Sequence, residues 1–256
     1  MIGIFDSGIG GLTIVKKIKE KFPQLSFIYL GDNARTPYGN RSQETIIKYA
    51  QEDIEFLISH QVQAVIIACN TVSALAGDFL KKKYNLPIFE VISPAVHQAI
   101  INGGQRIGVI GTRATINSLA HQKLLQTINP QLVVFNQACP LFVPLVEENW
   151  IKRLETEMIA RRYLIPLKNK QIDTLILGCT HYPLLKEVIQ HKIGKSVKLI
   201  DPAEAVVNLL AEYLKNHIEI DNSGKENYFV TDLDSHFQEI ANRWLNKSII
   251  IKKTEL

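Results

Sequence analysis

Three short motifs occur twice in this chain, in the same order and at similar spacing, and this duplication constrains the fold more than any other feature. Ile2-Gly3-Ile4-Phe5-Asp6-Ser7 has a counterpart in Ile107-Gly108-Val109-Ile110-Gly111-Thr112. Ala64-Val65-Ile66-Ile67-Ala68-Cys69-Asn70-Thr71 is echoed by Thr174-Leu175-Ile176-Leu177-Gly178-Cys179-Thr180-His181. Val91-Ile92-Ser93-Pro94-Ala95 is echoed by Leu199-Ile200-Asp201-Pro202-Ala203. Gly3 precedes Cys69 by 66 residues and Gly108 precedes Cys179 by 71; Cys69 to Pro94 is 25 and Cys179 to Pro202 is 23. One such match could arise by chance among α/β repeats. Three in register indicate two related halves.

Each half alternates short apolar runs with segments of helical period. The expected strands are Ile2–Phe5, Phe27–Leu30, Ala64–Ala68, Ile88–Val91, Ile107–Ile110, Leu132–Phe135, Thr174–Leu177, Val197–Ile200, Tyr228–Val230 and Ile249–Ile251. Between them lie stretches such as Ser42–Ser59, where Ile46, Ala50, Ile54, Leu57 and Ile58 recur at helical spacing and Ser42 can cap the start. Near-continuous Val, Ile and Leu strands separated by helices indicate a mostly parallel sheet covered on both faces. The expected class is therefore α/β, as two related doubly wound domains about a pseudo-two-fold axis. The expected division is 1–93 plus 206–256 for the first domain and 94–205 for the second, with crossings near Pro94 and Pro202. In each half a cysteine follows a buried strand, at the carboxyl end where open parallel sheets bind ligands. Two halves packed face to face would bring Cys69 and Cys179 to one cleft from opposite sides.

Composition excludes several classes. Charged residues make up 21% and the net charge is only +4, with no basic run longer than Lys81-Lys82-Lys83 and only pairs such as Lys252-Lys253 besides. A nucleic-acid binder concentrates such charge on one face, so no nucleic-acid partner is expected. No run approaches the ~20 apolar residues that span a bilayer, and the first apolar segment meets Asp6 too soon for a signal-peptide core. No membrane association is expected. Three cysteines with no C-x-x-C pair form no disulfide framework. A reducing cytoplasm, where free thiols persist, is the expected compartment.

Thiols at helix N-termini have lowered pKa values, because unpaired backbone N–H groups and the helix dipole stabilise the thiolate. Cys69 and Cys179 are both expected there. Either alone reads equally well as a small buried residue ending a strand. The polar neighbours Asn70-Thr71 and Thr180-His181 weigh against that. Cys139 has neither a repeat partner nor a polar shell and reads as structural. A zinc site from Cys69, Cys139, Cys179 and His181 matches no common spacing, so no metal is expected. The turn Asp6-Ser7-Gly8-Ile9-Gly10-Gly11 invites a dinucleotide reading, but Thr13 stands where the third glycine belongs. That turn is either an anion site suited to a carboxylate or simply a tight connection.

At this point the chain resembles glutamate racemase along essentially its whole length. The residues carrying the resemblance are Phe5-Asp6-Ser7-Gly8-Ile9-Gly10-Gly11; Tyr29-Leu30-Gly31-Asp32, then Arg35 and Pro37-Tyr38-Gly39; Ala68-Cys69-Asn70-Thr71; Pro144-Leu145-Val146-Glu147; and Gly178-Cys179-Thr180-His181-Tyr182-Pro183. The resemblance implies two α/β domains with glutamate between them and one catalytic cysteine from each, Cys69 and Cys179, without a cofactor. It implies that Asp6, Ser7, Tyr38, Gly39, Asn70, Thr71, Thr180 and His181 bind substrate. Asp32, Glu147 and His181, with Asp6, would be supporting acid/base groups. By residue type alone, Asp32 reads as a turn residue and Glu147 as a solvated helix start. The resemblance further implies D-glutamate supply for peptidoglycan synthesis, and it is compatible with a homodimer. The chain begins almost at its first strand, so control through the N-terminal extension of some members is not expected.

Racemisation removes the Cα proton from one face and returns one to the other, which two opposed acid/base groups do directly. Asp6 near one thiol and His181 near the other make the two sides chemically unequal, because a carboxylate disfavours a nearby thiolate and an imidazolium favours it. Other readings stay open on sequence grounds: a two-cysteine racemase or isomerase for aspartate, hydantoins or maleate, a pyridoxal-phosphate racemase, a non-catalytic amino-acid-binding module, and, most weakly, a nucleotide-binding protein.

Overall fold

The structure, a computed structural model, describes residues 1–217 and 220–256. Among these, the strands are β1 (Ile2–Asp6), β2 (Phe27–Gly31), β3 (Ala64–Ile67), β4 (Ile88–Glu90), β5 (Arg106–Gly111), β6 (Val133–Ala138), β7 (Thr174–Gly178), β8 (Lys198–Ile200), β9 (Glu226–Val230) and β10 (Ile251–Lys253). The helices are α1 (Leu12–Lys21), α2 (Gln43–Ser59), α3 (Asn70–Lys83), α4 (Ile92–Ile101), α5 (Arg113–Ser118), α6 (Ala120–Ile128), α7 (Phe142–Glu147), α8 (Leu154–Asn169), α9 (Lys186–Ile193), α10 (Pro202–Lys215) and α11 (Ser235–Leu245). Short 3-10 turns lie at Asn33–Arg35, Tyr38–Asn40 and Tyr182–Leu185.

Two sheets form, ordered β10-β9-β2-β1-β3-β4 and β6-β5-β7-β8. Every pairing is parallel, including β9 on β2 and β10 on β9. The fold class is α/β. The inner strands β1, β3 and β7 are buried at every position, as strands covered on both faces must be. Ser42 caps α2, its hydroxyl accepting the Thr45 N–H at 3.3 Å.

Two strands are displaced from their expected positions, and the hydrogen bonds explain both. The strand expected at Leu132–Phe135 is β6, because the Leu132 N–H turns back to the Asn129 carbonyl (3.2 Å) and the ladder with β5 starts at Val133. The strand expected at Ile249–Ile251 is β10, because side chains of α11 occupy the Ile249 backbone. The Gln238 amide donates to its carbonyl (3.0 Å), and Asn242 Oδ1 accepts its N–H (3.0 Å).

The apolar interior does not stop at either sheet. One cluster runs from Ile4 and Phe27 through Val206 and Leu210 of α10 to Leu177, Tyr182 and Phe142. Burying side chains of this size contributes about 1.5–3 kcal/mol each. With α10 packed on both α1 and α4, the two sheets are held in one orientation rather than hung on a linker. Among the described residues no helix is long and apolar enough to cross a membrane.

Candidate active site

The strand orders create two crevices. β2 and β3 flank β1 on opposite sides, and β6 and β7 flank β5 in the same way. Chain connections leaving such neighbouring strands diverge to opposite faces of the sheet and leave a gap at the carboxyl ends. The turn after β1 and Cys69 after β3 open into one gap; Thr112 after β5 and Cys179 after β7 open into the other. The gaps face each other as a single cleft. Ser7, Tyr38, Gly39, Cys69, Asn70 and Thr71 line it from one side, and Glu147, Cys179, Thr180 and His181 from the other.

Cys69 stands at the N-cap of α3, as expected for a strand-to-helix junction. Its Sγ lies 3.4 Å from Ser7 Oγ, and the Val72 N–H points towards it. The thiol is nevertheless pushed up to about 12, first by burial and then by the negative charge of Asp6. This corrects the expectation of a lowered value, since desolvation outweighs one helix terminus. Asp6 is buried behind the cleft wall, with Oδ2 accepting the Gly8 N–H at 3.2 Å. Burial raises the Asp6 carboxyl above its ordinary value, and nearby His181 opposes the rise. Neither Asp6 Oδ1 nor the Asn70 side-chain amide has a hydrogen-bond partner among the described residues. Buried polar atoms are seldom left so, and Asn70 faces the cleft, where a polar ligand can satisfy it.

The Cys179 side is built differently. The expected helix start after Cys179 is absent: a 3-10 turn intervenes and α9 begins only at Lys186. The buried Tyr182 holds that turn down, its hydroxyl donating to the Cys139 carbonyl at 2.8 Å. His181 thereby stands beside Cys179, with Nδ1 3.8 Å from Sγ, while its Nε2 meets Glu147 Oε1 at 2.9 Å. Burial works against an imidazolium here, yet the hydrogen bonds to Cys179 and Glu147 prevail and raise His181 to about 10. At neutral pH, therefore, a cation faces the Cys179 sulfur.

This pairing has a consequence for stability. A histidine raised from 6.5 in the unfolded chain to about 10 in the fold contributes stability in full below pH 6.5 and loses it as pH rises through 10. The melting temperature of the wild-type protein is expected to decline across that window. In His181→Asn the decline should be shallower, as thermal melts at stepped pH would record.

Asp32 is not brought to the cleft. It is fully buried, accepting from Arg35 Nε at 2.5 Å, from the Tyr38 hydroxyl and from Thr231 Oγ1 at 2.9 Å. Sequence reasoning missed Thr112, which lines the cleft and whose Oγ1 is 3.0 Å from that of Thr71. The repeat contains the signal, for Thr112 is the counterpart of Ser7. It also missed Asp53, buried beside Tyr38 and Arg35. The signal there is a carboxylate inside the apolar stripe of α2, between Ala50, Ile54 and Leu57. Cys139 is buried in the core, away from the cleft lining. Among the described residues no cluster of three or more potential ligands could hold a metal ion.

Comparison with known proteins follows the same lines. The glutamate racemase of Geobacter metallireducens is 44% identical, the match covering 95% of this chain and 92% of that one. The crystal structure of glutamate racemase from Francisella tularensis in complex with D-glutamate superimposes with a TM-score of 0.93 at 38% identity, covering 99% and 97% of the two chains. Glutamate racemase from Aquifex pyrophilus superimposes with a TM-score of 0.83 at 43% identity, covering 98% and 97%. Residues 2–210 match the Asp/Glu/hydantoin racemase family. With a duplicated parallel fold, a cleft at both sets of strand ends and relatives of this similarity over nearly its whole length, the chain belongs to the Asp/Glu/hydantoin racemase family of isomerases.

Proposed function

We propose that this protein interconverts L- and D-glutamate, with Cys69 and Cys179 as the two acid/base groups acting on opposite faces of Cα. The observation that carries the reading is the pair of thiols, one from each sheet, lining the same cleft. Glutamate is preferred among the family's substrates because the relatives compared above are glutamate racemases.

In one direction the Cys179 thiolate takes the Cα proton and the Cys69 thiol returns its proton to the other face. The protonation states are then exchanged, and the reverse reaction restores them. The imidazolium of His181 offsets negative charge on Cys179, and Glu147 holds that ring in place. On the other side Cys69 rests as a thiol, its ionisation opposed by burial and then by the charge of Asp6. The developing carbanion needs preorganised donors; Ser7, Asn70, Thr71 and Thr180, with the free backbone N–H groups opening α3, are the available ones.

In this reading the domains are 1–93 with 206–256, and 94–205, and the cleft between them is the active site. The product D-glutamate would serve peptidoglycan synthesis in the cytoplasm. The test is incubation of the purified protein with L- or D-glutamate in D2O without added cofactor. Deuterium should enter at Cα as the other enantiomer appears. Absence of both inversion and exchange with glutamate, beside turnover of aspartate or a hydantoin, would overturn the substrate.

A further inference from the structure

Behind the Tyr38–Gly39 wall of the cleft lies a largely buried cluster of the Arg35 guanidinium and three carboxyl groups. The Arg35 guanidinium meets Asp32 Oδ2 through Nε at 2.5 Å, Glu52 through Nη1, and Asp53 Oδ1 through Nη2 at 3.4 Å. Its central carbon, Cζ, lies over the Tyr49 ring, 4.2 Å from the ring centre, a cation–π contact that helps to hold it. Asp32 and Asp53 are wholly inaccessible to solvent, whereas Glu52 is partly exposed and also approached by Lys48 at 4.0 Å.

Counting charges and protons decides the state of this cluster. Glu52 reaches solvent and Lys48, so the balance falls on the other two: two fully buried carboxylates beside one guanidinium would leave excess negative charge out of water, which is far costlier than binding a proton. Asp32 accepts from Arg35, Tyr38 and Thr231, so its two oxygens already have donors. Among the described residues Asp53 has two polar contacts, both long, to Arg35 at 3.4 Å and to the Tyr38 hydroxyl at 3.5 Å. The phenol has a single proton and donates it to Asp32. The Tyr38–Asp53 contact is therefore a hydrogen bond only if Asp53 supplies the hydrogen.

We propose that Asp53 is a positioning residue of the cleft: as a neutral carboxylic acid it donates to Tyr38 and, with Arg35 and Asp32, locks the Tyr38–Gly39 segment in place. The direction of its ionisation agrees, burial first and then the Asp32 charge pushing the Asp53 carboxyl well above the ordinary carboxylate range. The Tyr38 side chain is buried, so its hydroxyl is the anchor and the adjoining backbone is the wall. Gly39 allows little slack, for a Cβ there would lie 3.1 Å from Thr112 Cβ on the other side of the cleft. A small shift of the anchor therefore changes the width available to a ligand.

The inference rests on the glutamate reading for its kinetic test and is independent of it for its spectroscopic one. Asparagine mimics a neutral acid, so Asp53→Asn is expected to keep kcat and KM for glutamate near wild type. Asp53→Ala should raise KM about tenfold, with a smaller change in kcat, as expected for losing one buried hydrogen bond that shapes the binding wall. Independently, the infrared difference spectrum of wild type minus Asp53→Asn at neutral pH should contain the carbonyl stretch of a protonated carboxyl. If Asp53→Ala does not fold, that spectrum decides. The proposal is overturned by absence of the protonated-carboxyl band, by Asp53→Asn as impaired as Asp53→Ala, or by a folded Asp53→Ala with unchanged KM. Failure of the wild type to turn over glutamate counts against the racemase reading alone and leaves the infrared result to judge Asp53.

Discussion

Cys69→Ala and Cys179→Ala are each expected to lower glutamate racemisation by about 10³-fold or more, near the upper end of what a positioned acid/base group contributes. The two losses should differ in kind. Without Cys69 the remaining thiol still reaches the Cα hydrogen of one enantiomer but has no partner to deliver a proton opposite. Slow exchange of that hydrogen with D2O, without inversion, should survive for one enantiomer in Cys69→Ala and for the other in Cys179→Ala. Proton NMR of L- and D-glutamate incubated separately with each variant measures this. Racemisation persisting at wild-type rate in either variant would remove the two-thiol mechanism. Cys139→Ala, in the core and outside the cleft lining, should leave the rate nearly unchanged.

Gly10→Ala is the second substitution with a large expected effect, and it acts without touching either thiol. A Cβ at Gly10 would come within 2.1 Å of Thr180 Oγ1 and 2.7 Å of the His181 ring. Both of those side chains are buried and His181 is held by Glu147, so neither can swing aside freely. Relief requires the turn after β1 to move away from the segment after β7, opening the cleft by a fraction of an ångström to an ångström. Displacements of that order cost about 10²-fold in rate when two groups must meet one reacting atom. We expect kcat/KM to fall by about that factor, with the circular dichroism spectrum unchanged. A variant at wild-type kcat/KM would show that the two sides adjust independently. The Thr13 hydroxyl, shared between the Gly10 carbonyl at 2.8 Å and the Thr180 carbonyl at 3.1 Å across the same seam, argues that they do not.

Much of the architecture was legible because it depends on periodicity and repetition. The parallel α/β class followed from apolar runs flanked by amphipathic helices, and β1, β3, β5 and β7 lie where the duplicated motifs indicated. What escaped was set by side chains acting over distance. The start of β10 depends on Gln238 and Asn242 reaching back to Ile249, which no strand propensity encodes. The 3-10 turn after Cys179 depends on a phenol reaching Cys139, so the repeat overstated the likeness of the two cysteines. The acidity of Cys69 was misread because helix position is visible in a sequence, whereas depth of burial is not. Asp53 was hidden within an otherwise apolar stripe, where only the neighbouring Arg35 and Tyr38 give it meaning.

The strand order also has a temporal meaning. Ribosomal synthesis proceeds from residue 1 onward, and all four strands of the second sheet, β5 to β8, emerge before β9 and β10. The second sheet can therefore be complete while the first still exposes the edge of β2, whose partner β9 lies about two hundred residues downstream. Thr231, just past β9, supplies one of the hydrogen bonds that the Asp32 carboxylate accepts. The assembly that braces the Tyr38 wall is thus among the last parts of the molecule to form. Until β9 emerges, the β2 edge that it will cover is an unpaired strand edge open to wrong partners.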